Sequence, residues 1–389
     1  MAKARYTKRP DGRYEAKVWD GTFTDTGRKN YIHLYSEKSS RDLENKVAEY
    51  NQARKEGRIV VSTNTTVLTY ARAWLKRTKG TRAGGTYNIY ENIIETHIST
   101  LGDISFEHLT HSMLQLLINE NVKKSQTCKQ IVMTCKQIVK SAEKDRLLPK
   151  GSHIDIFDDL EVPDYAPKER RPLTAQEKAV LTTADFTPRE RMFVMILYGT
   201  GFRRGEVLAL TVFDISFKNK TIRVDKSLAI DSKNKTSYIK EPKTKNSYRT
   251  NPIPDWLVTE LRSYVANLDP ANQSRLFCEN GELMTHNDYQ RMWHSIVNKM
   301  RAAYLSTLDE NARRMVNWNE VGFEDLTAHL FRHNYCTALC YQMIQQRNIS
   351  LKKIAHLLGD TEKMVQKVYS HILEEMEQTE DAISAAVSL

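Results

Sequence analysis

Hydrophobic positions follow different rhythms along the chain. In RYEAKVWD, Tyr14, Ala16 and Val18 alternate with Arg13, Glu15, Lys17 and Trp19, the period of a half-buried strand. A Pro-Asp-Gly turn links this run to the one before it, and NYIHLYS follows the polar loop GTFTDTGRK, so three strands are expected. The pattern then switches in SSRDLENKVAEYNQARK, where Leu43, Val47 and Tyr50 share a helix face and Ser39 and Asp42 form a capping pair. One face of the sheet is expected on this helix. The other carries Arg13, Lys17 and Trp19 and is basic and aromatic.

Four further stretches between residues 64 and 163 place apolar residues three and four apart, from VLTYARAWLKRT to KKSQTCKQIVMTCKQIVKSAEKDRLL. That spacing predicts a helical bundle. The heptad echo TCKQIVM–TCKQIVK is explained by one amphipathic helix. The proline- and charge-rich stretch EVPDYAPKERRP reads as a boundary. Beyond it, Thr174 and Glu177 form a capping-box signature, and helices alternate with short strands at KTIRVDKSLAI, TSYIKEP and YRTNPIP. The fold class is multidomain and mainly α with small β parts. Residues 1–63 form three strands and a helix, 64–165 a helical bundle and 166–389 an α+β domain.

Composition narrows the partners. The chain of 389 residues has 58 Lys+Arg against 48 Asp+Glu, a net charge of +10, which points to a polyanion. A basic, aromatic sheet face can lie in a DNA groove; a solvated sheet is the bland alternative. Lys76, Arg77, Lys79 and Arg82, and then Lys123, Lys124, Lys129 and Lys136, are spaced to meet phosphates along a duplex. No stretch has the length of a membrane span and no signal-like segment opens the chain, so a cytoplasmic location is expected. The five scattered cysteines include no CxxC pair and read as reduced core residues rather than metal ligands.

The stretch MFVMILYGTGFRRGEVLALTVFDI is almost wholly apolar, yet Arg203 and Arg204 sit in its middle. An unpaired buried charge is very costly. His329 and Arg332 are three apart in LTAHLFRHNYCTAL, so a helix presents both on one face. Lys245 lies in EPKTKNSYRTNPIP and Tyr369 in LLGDTEKMVQKVYSHI. Converging permanent cations are tolerable where a site holds an anion, and the planar fork of arginine suits phosphate oxygens. A tyrosine beside such a phosphate can act as a nucleophile.

These stretches resemble the boxes of the tyrosine recombinases, the phage-integrase family, and are most like those of conjugative-transposon integrases. TGFRRGEVLAL resembles the first arginine box, HLFRH the His-x-x-Arg box and LLGD…VYSHI the tyrosine box. The resemblance covers most of the chain. It implies an arm-DNA-binding module in 1–63, a core-DNA-binding domain in 64–165 and a catalytic domain in 166–389. It implies catalytic roles for Arg203, Lys245, His329, Arg332 and the nucleophile Tyr369. Lys245 is the implied general acid, with Lys243 as its rival on the same side of a strand or as a DNA contact. Glu206 would orient Arg203, Arg204 would face DNA or an acidic partner, and His333 would help pack or orient the site. Tyr335 reads as core. The position nine residues before the nucleophile, where the family has His or Trp, is Asp360. An ionised carboxylate cannot donate to phosphate. Either His356 covers the role, or Asp360 orients a neighbouring cation, or the transition state is held less well.

The implied activity is site-specific recombination that integrates and excises a mobile element, a conjugative transposon or prophage. It would proceed through a 3′-phosphotyrosine and a Holliday junction, without metal, ATP or other cofactor. The implied partners are double-stranded DNA at core-type and arm-type sites, a homotetramer and, in some reactions, an excisionase and a host DNA-bending protein. The C-terminal stretch with Ala382, Ile383, Ala386 and Val387 is expected to dock on a neighbouring protomer. The rival readings are a type IB topoisomerase-like enzyme and a DNA-binding regulator with impaired catalysis.

Overall fold

The computed structural model describes residues 5–23, 28–56, 65–82, 84–164, 171–231, 236–242, 247–272, 274–346 and 348–376. Lys243, Lys245 and the apolar stripe from Ala382 to Val387 lie outside them. Chain contacts separate two compact units, Met1–Pro167 and Lys168–Leu389. The architecture is mainly helical with small sheets.

In the first unit, β1 (Tyr14–Phe23) pairs antiparallel with β2 (Lys29–Ser36), with Ala16 opposite Leu34 and Val18 opposite Ile32. Helix α1 (Ser40–Lys55) packs Leu43, Val47 and Tyr50 against the Ala16–Val18 face. Ser39 caps α1 by accepting from the Asp42 amide at 3.1 Å, while the Asp42 carboxylate accepts from Ser36 Oγ at 2.6 Å. The expected first strand is not a strand here: the described sheet has two, and residues 5–10 contribute one isolated bridge, Lys8 to Tyr14. Tight bonds from the Arg9 amide to Arg13 and from the Gly12 amide to Arg9 turn the chain at once. Pro10 has no N–H to extend a ladder.

A second hydrophobic cluster in this unit joins α2 (Val67–Thr78), α3 (Gly84–Thr96), α4 (His111–Asn119) and α5 (Ser125–Lys144) and takes in Ile156, just past the short α6 (Ser152–Asp155). The heptad echo lies on α5, which buries Cys128, Ile131, Cys135, Ile138 and Val139. All five cysteines are buried and free.

The second unit opens with α7 (Ala175–Ala179), whose Thr174–Glu177 capping box is formed in both directions. Glu177 is fully buried yet satisfied, since it also accepts from Arg171 and from the Phe323 amide. Helix α8 (Pro188–Thr200) is apolar nearly all round and runs through the core. It stops at Gly201, whose φ of +64° suits a residue without a side chain; a Cβ there would come within 2.6 Å of the Tyr335 ring. Phe202 is buried, and Arg203 becomes the N-cap residue of α9 (Arg204–Leu208). Two small sheets follow. One orders β3 (Ile215–Ser216), β4 (Thr221–Val224) and β7 (Arg249–Pro252); the other pairs β5 (Ser227–Ile230) with β6 (Ser237–Lys240). The helices α10 (Asp255–Ala266), α11 (His286–Ser306), α12 (Glu310–Arg314) and α13 (Trp318–Val321) lead to α14 (Ala328–Gln346). Helices α15 (Leu351–Leu358) and α16 (Glu362–Met376) share with α14 a cluster built on Cys336, Cys340, Ile354, Leu358, Val365 and Ile372. No described helix is long and apolar enough to cross a membrane.

Candidate active site

The paired arginines at the end of α8 diverge. Arg204 is exposed and lies over the Tyr289 ring at 4.6 Å, where its charge stays hydrated. Arg203 is half-buried, its side chain 38% exposed, and paired. Its Nη1 donates to Glu206 Oε1 at 3.0 Å and its backbone amide to Glu206 Oε2 at 3.0 Å. Its Nη2 donates to the Gly359 carbonyl at 3.0 Å and to Asp360 Oδ2 at 3.3 Å.

Arg332 approaches the same oxygen from α14. Its Nη2 donates to Asp360 Oδ2 at 2.9 Å and its Nη1 to the Gly201 carbonyl at 3.1 Å, with its side chain only 5% exposed. Burial, with the neighbouring Arg203 charge, pushes the Arg332 guanidinium down to about 10. It stays protonated at neutral pH. Burial alone would raise the Asp360 carboxyl, but the Arg332 hydrogen bond and charge, the Thr361 amide and Arg203 outweigh it and hold it below the usual range. Two guanidinium groups from distant boxes thus converge on one carboxylate oxygen. A phosphate oxygen has the same charge and accepting geometry.

Sequence reasoning missed Arg249. It lies on β7 with its side chain wholly buried. Its Nη2 donates to Glu206 Oε2 at 2.7 Å, its Nη1 to Glu206 Oε1 at 3.3 Å and its Nε to the Leu357 carbonyl at 2.9 Å. The carboxylate aligned with Arg203 therefore serves two arginines. Burial would push Glu206 up; the hydrogen bonds and charge of Arg249, then the Arg203 amide and charge, hold it down. An isolated arginine in a short strand has no periodic signal, and only its partners mark it out.

His329 is exposed in the first turn of α14, one turn before the buried Arg332, and His333 is half-buried on the next turn. Tyr369 is half-buried on α16 and packs on the cluster that joins α14, α15 and α16. His356 is exposed on α15; among the described residues it is Asp360 that touches both arginines. A cavity of about 360 Å³ is lined by Arg203, Glu206, Lys226, Ser227 and Asp360. Pro242 and Ser247, the described neighbours of the segment carrying Lys243 and Lys245, line it too. A second cavity, of about 550 Å³, runs from Arg203 and His329 to Arg204, Tyr289 and His294.

The other candidate DNA contacts fall in the first unit. Arg13 and Lys17 are exposed on the sheet module with their charges over Tyr35 and Tyr31, at 5.0 and 4.6 Å. Trp19 is half-buried, with Lys29 and Arg54 over its ring. Lys76, Arg77, Lys79, Arg82, Lys123 and Lys124 are all exposed, although Arg77 is bonded to Asp145 at 3.0 Å.

The phage integrase family model matches residues 173–376. Among curated proteins, the chain is 28% identical over 193 residues to a "Tyrosine recombinase XerC-like" of Caldanaerobacter subterraneus subsp. tengcongensis, covering 48% of this chain and 46% of that one. It is 26% identical to the "Transposase from transposon Tn916" of Enterococcus faecalis, over 37% of this chain and 34% of that one. The chain thus spans about half or less of the length of these relatives. Among solved structures, the Tn1549 transposon integrase in complex with transposon right end DNA aligns with a TM-score of 0.63 at 21% identity, over 84% of this chain and all of that one. A lambda integrase tetramer bound to a Holliday junction aligns at 0.52 and 15% identity, over 93% of each chain. Both likenesses are of fold. The family match takes in the arginine, His-x-x-Arg and tyrosine boxes and more than half of the 389 residues, so the chain belongs to the phage integrase family, the tyrosine recombinases.

Proposed function

We propose that this chain is a site-specific recombinase that integrates and excises a mobile element, of the conjugative-transposon or prophage kind. The observation that carries the reading is the convergence of Arg203 and Arg332 on a single anionic oxygen, 3.3 and 2.9 Å away. Similarity to the Tn916 transposase, and to an integrase of Staphylococcus phage L54a at 28% identity over 46% of this chain, supports a mobile element as the substrate.

In the proposed reaction, Arg203, Arg332 and His329 hold the non-bridging oxygens of one DNA phosphate, where charge builds in the transition state. Tyr369 Oη attacks phosphorus in line as its proton passes to solvent. The P–O5′ bond breaks as the P–O bond to tyrosine forms, and Lys245, or Lys243, gives a proton to the departing 5′ oxygen. The 5′-hydroxyl of a partner strand then attacks the 3′-phosphotyrosine, its proton passing to that lysine, and releases Tyr369, which takes a proton from solvent. The covalent bond conserves the energy, so ATP is not required, and the cations take the place that metal ions fill in other phosphoryl transfers. The assembly is a tetramer on two DNA sites, acting through a four-way junction in the cytoplasm, at the nucleoid. Residues 1–63 would bind arm-type sites and 64–165 core-type DNA. An excisionase and a host DNA-bending protein are further partners to test.

The test is a nicked suicide duplex made from the joined ends of the element carrying the gene. The protein should become attached to a 3′ phosphate in the presence of EDTA. Tyr369→Phe should bind the duplex and form no adduct. An adduct that persists in Tyr369→Phe on another tyrosine would overturn the nucleophile. Binding with no adduct from the unaltered protein would favour a DNA-binding regulator. Relaxation of a plasmid lacking the element's ends would favour a topoisomerase.

A further inference from the structure

We infer that Arg249 is a positioning residue for DNA cleavage, setting the arginine box and the turn before Tyr369 in one register; the inference rests on the function proposed above. Arg249 touches three separate parts of the catalytic unit. Its fork spans both oxygens of Glu206, at 2.7 and 3.3 Å, and Glu206 in turn holds Arg203 Nη1 and the Arg203 amide. Its Nε holds the Leu357 carbonyl at 2.9 Å, two residues before the Gly359 carbonyl that accepts from Arg203. Its Nη1 also reaches the Ser247 carbonyl at 3.2 Å, at the edge of the segment that carries Lys243 and Lys245. The guanidinium lies over Phe202, the residue before Arg203, with its carbon 5.0 Å from the ring centroid.

The fit is close on every side. Gly359 has φ +61°, and a Cβ there would lie 2.6 Å from Arg249 Nη1. Only a backbone without a side chain lets the turn close over the guanidinium. Asn251, on the same strand, also donates to the Leu357 carbonyl, at 2.6 Å. Leu357 thus ties α15 to β7 twice, and Asp360 hangs from the end of that helix. The guanidinium has no path to a substrate, because its side chain is fully enclosed. Its effect on a DNA phosphate must pass to Arg203, through Glu206 and through the Leu357–Gly359 turn whose Gly359 carbonyl accepts from Arg203 Nη2. A compact lysine ammonium would keep the charge beside Glu206 but could not span both carboxylate oxygens and the Leu357 carbonyl together.

The test is single-turnover adduct formation on the suicide duplex, with DNA affinity and thermal melting measured on the same full-length proteins. Arg249→Lys should cleave about tenfold to a hundredfold more slowly, the scale on which misplaced reacting groups lose rate, with DNA affinity unchanged. Because Arg249 acts through Arg203, the Arg249→Lys change in an Arg203→Lys background should add less than about a twofold further loss. Cleavage by Arg249→Lys at the unaltered rate would sink the inference. So would losses that multiply across the two substitutions, or a rate, affinity and melting temperature that fall together, since those are marks of a purely structural residue. If Arg249→Lys does not fold, the paired change Arg249→Met with Glu206→Gln removes both charges at once and is read against Glu206→Gln alone. Slower cleavage by the pair than by Glu206→Gln supports the inference; equal rates, or failure of both Arg249 proteins to fold, overturns it. The unaltered protein and Tyr369→Phe are run beside them. No adduct from the unaltered protein defeats the recombinase reading itself, whereas an adduct there with an indifferent Arg249 defeats only this inference.

Discussion

Arg13 and Lys17 on the sheet module and Arg249 and Arg332 in the second unit carry the same charge in opposite settings. The first pair is exposed, with each charge over a tyrosine ring at 5.0 and 4.6 Å. Water still solvates them, and such contacts contribute only about 0.5–1 kcal/mol. The second pair has side chains 0% and 5% exposed, against Glu206 and Asp360. There the loss of hydration must be offset by carboxylates and carbonyls at hydrogen-bond distance. An exposed cation adds affinity for a polyanion and can be moved with little loss. A buried one is tied to a particular geometry, so it can serve chemistry.

That contrast can be broken in graded steps. The largest effect is expected at the arginines that converge on Asp360. Arg203→Ala or Arg332→Ala should retain DNA binding but lower the rate of adduct formation by about 10²–10³, as for loss of a donor to developing charge. Gel quantification of the covalent complex checks it, and a rate within threefold of the unaltered protein would remove that arginine from the reaction. Lysine at either position should rescue poorly, for want of a two-toothed grip.

Next in size is stability. Glu206→Ala strands the enclosed Arg249 without its carboxylate, and breaking a buried pair in this way costs about 3–5 kcal/mol. Urea denaturation should show that loss, while Lys17→Ala, which removes only an exposed ring contact, should change stability by less than about 1 kcal/mol. Equal effects at the two positions would mean that the enclosed pair is better hydrated than its burial implies.

Acid should probe the same carboxylates. Glu206, Asp214 and Asp360 are all held below their ordinary values of 4.5, 3.8 and 3.8. Burial opposes the charge in each. For Glu206 and Asp360 the arginine contacts outweigh it; for Asp214, Lys226 and Thr211 do. A depressed acid contributes stability that is complete above its unfolded pKa and is lost as pH falls through the folded one. Melting temperature should therefore be level from neutral pH to about 5 and fall below about 4. In Asp360→Asn the acid loss should be smaller; an unchanged profile would show that Asp360 contributes nothing to it.

The smallest effect belongs to the exposed face. Lys17→Ala or Arg13→Ala should weaken binding of arm-type DNA and reduce the slope of log affinity against log salt by about one, if each neutralises one phosphate. Deleting residues 1–63 should leave cleavage of core-type sites largely intact, as the candidate cleavage residues all lie beyond it; a folded 64–389 protein that cannot cleave would break that division.

Local pattern made much of the chain legible. The alternation of Ala16 and Val18 on β1, the spacing of α5 and the Thr174–Glu177 cap concern neighbours in sequence, and each follows from backbone geometry over a few residues. The strand expected before Tyr14 rests on the Pro-Asp-Gly turn signal and is absent from the described sheet. A turn signal states where the chain reverses, but not whether a partner ladder exists. After a turn as tight as Arg9–Arg13, one bridge is all that forms among the described residues.

By itself the sequence marked the candidates for holding a phosphate. Arg203 at the end of an apolar helix and His329 and Arg332 on one helix face are short-range facts, as is the position of Asp360 nine residues before Tyr369. Tertiary structure decided what each one faces. Arg203 and Arg204 are adjacent, yet one meets Glu206 and Asp360 while the other stacks on Tyr289. Asp360 resolves into a carboxylate shared by two arginines, one of them 157 residues away in sequence. Arg249 carries no signal in its own strand and takes its meaning from Glu206, 43 residues away, and Leu357, 108 residues away. The physical reason is the cost of burying charge. A guanidinium can be enclosed only where acceptors converge from several elements, and convergence is a property of the folded chain.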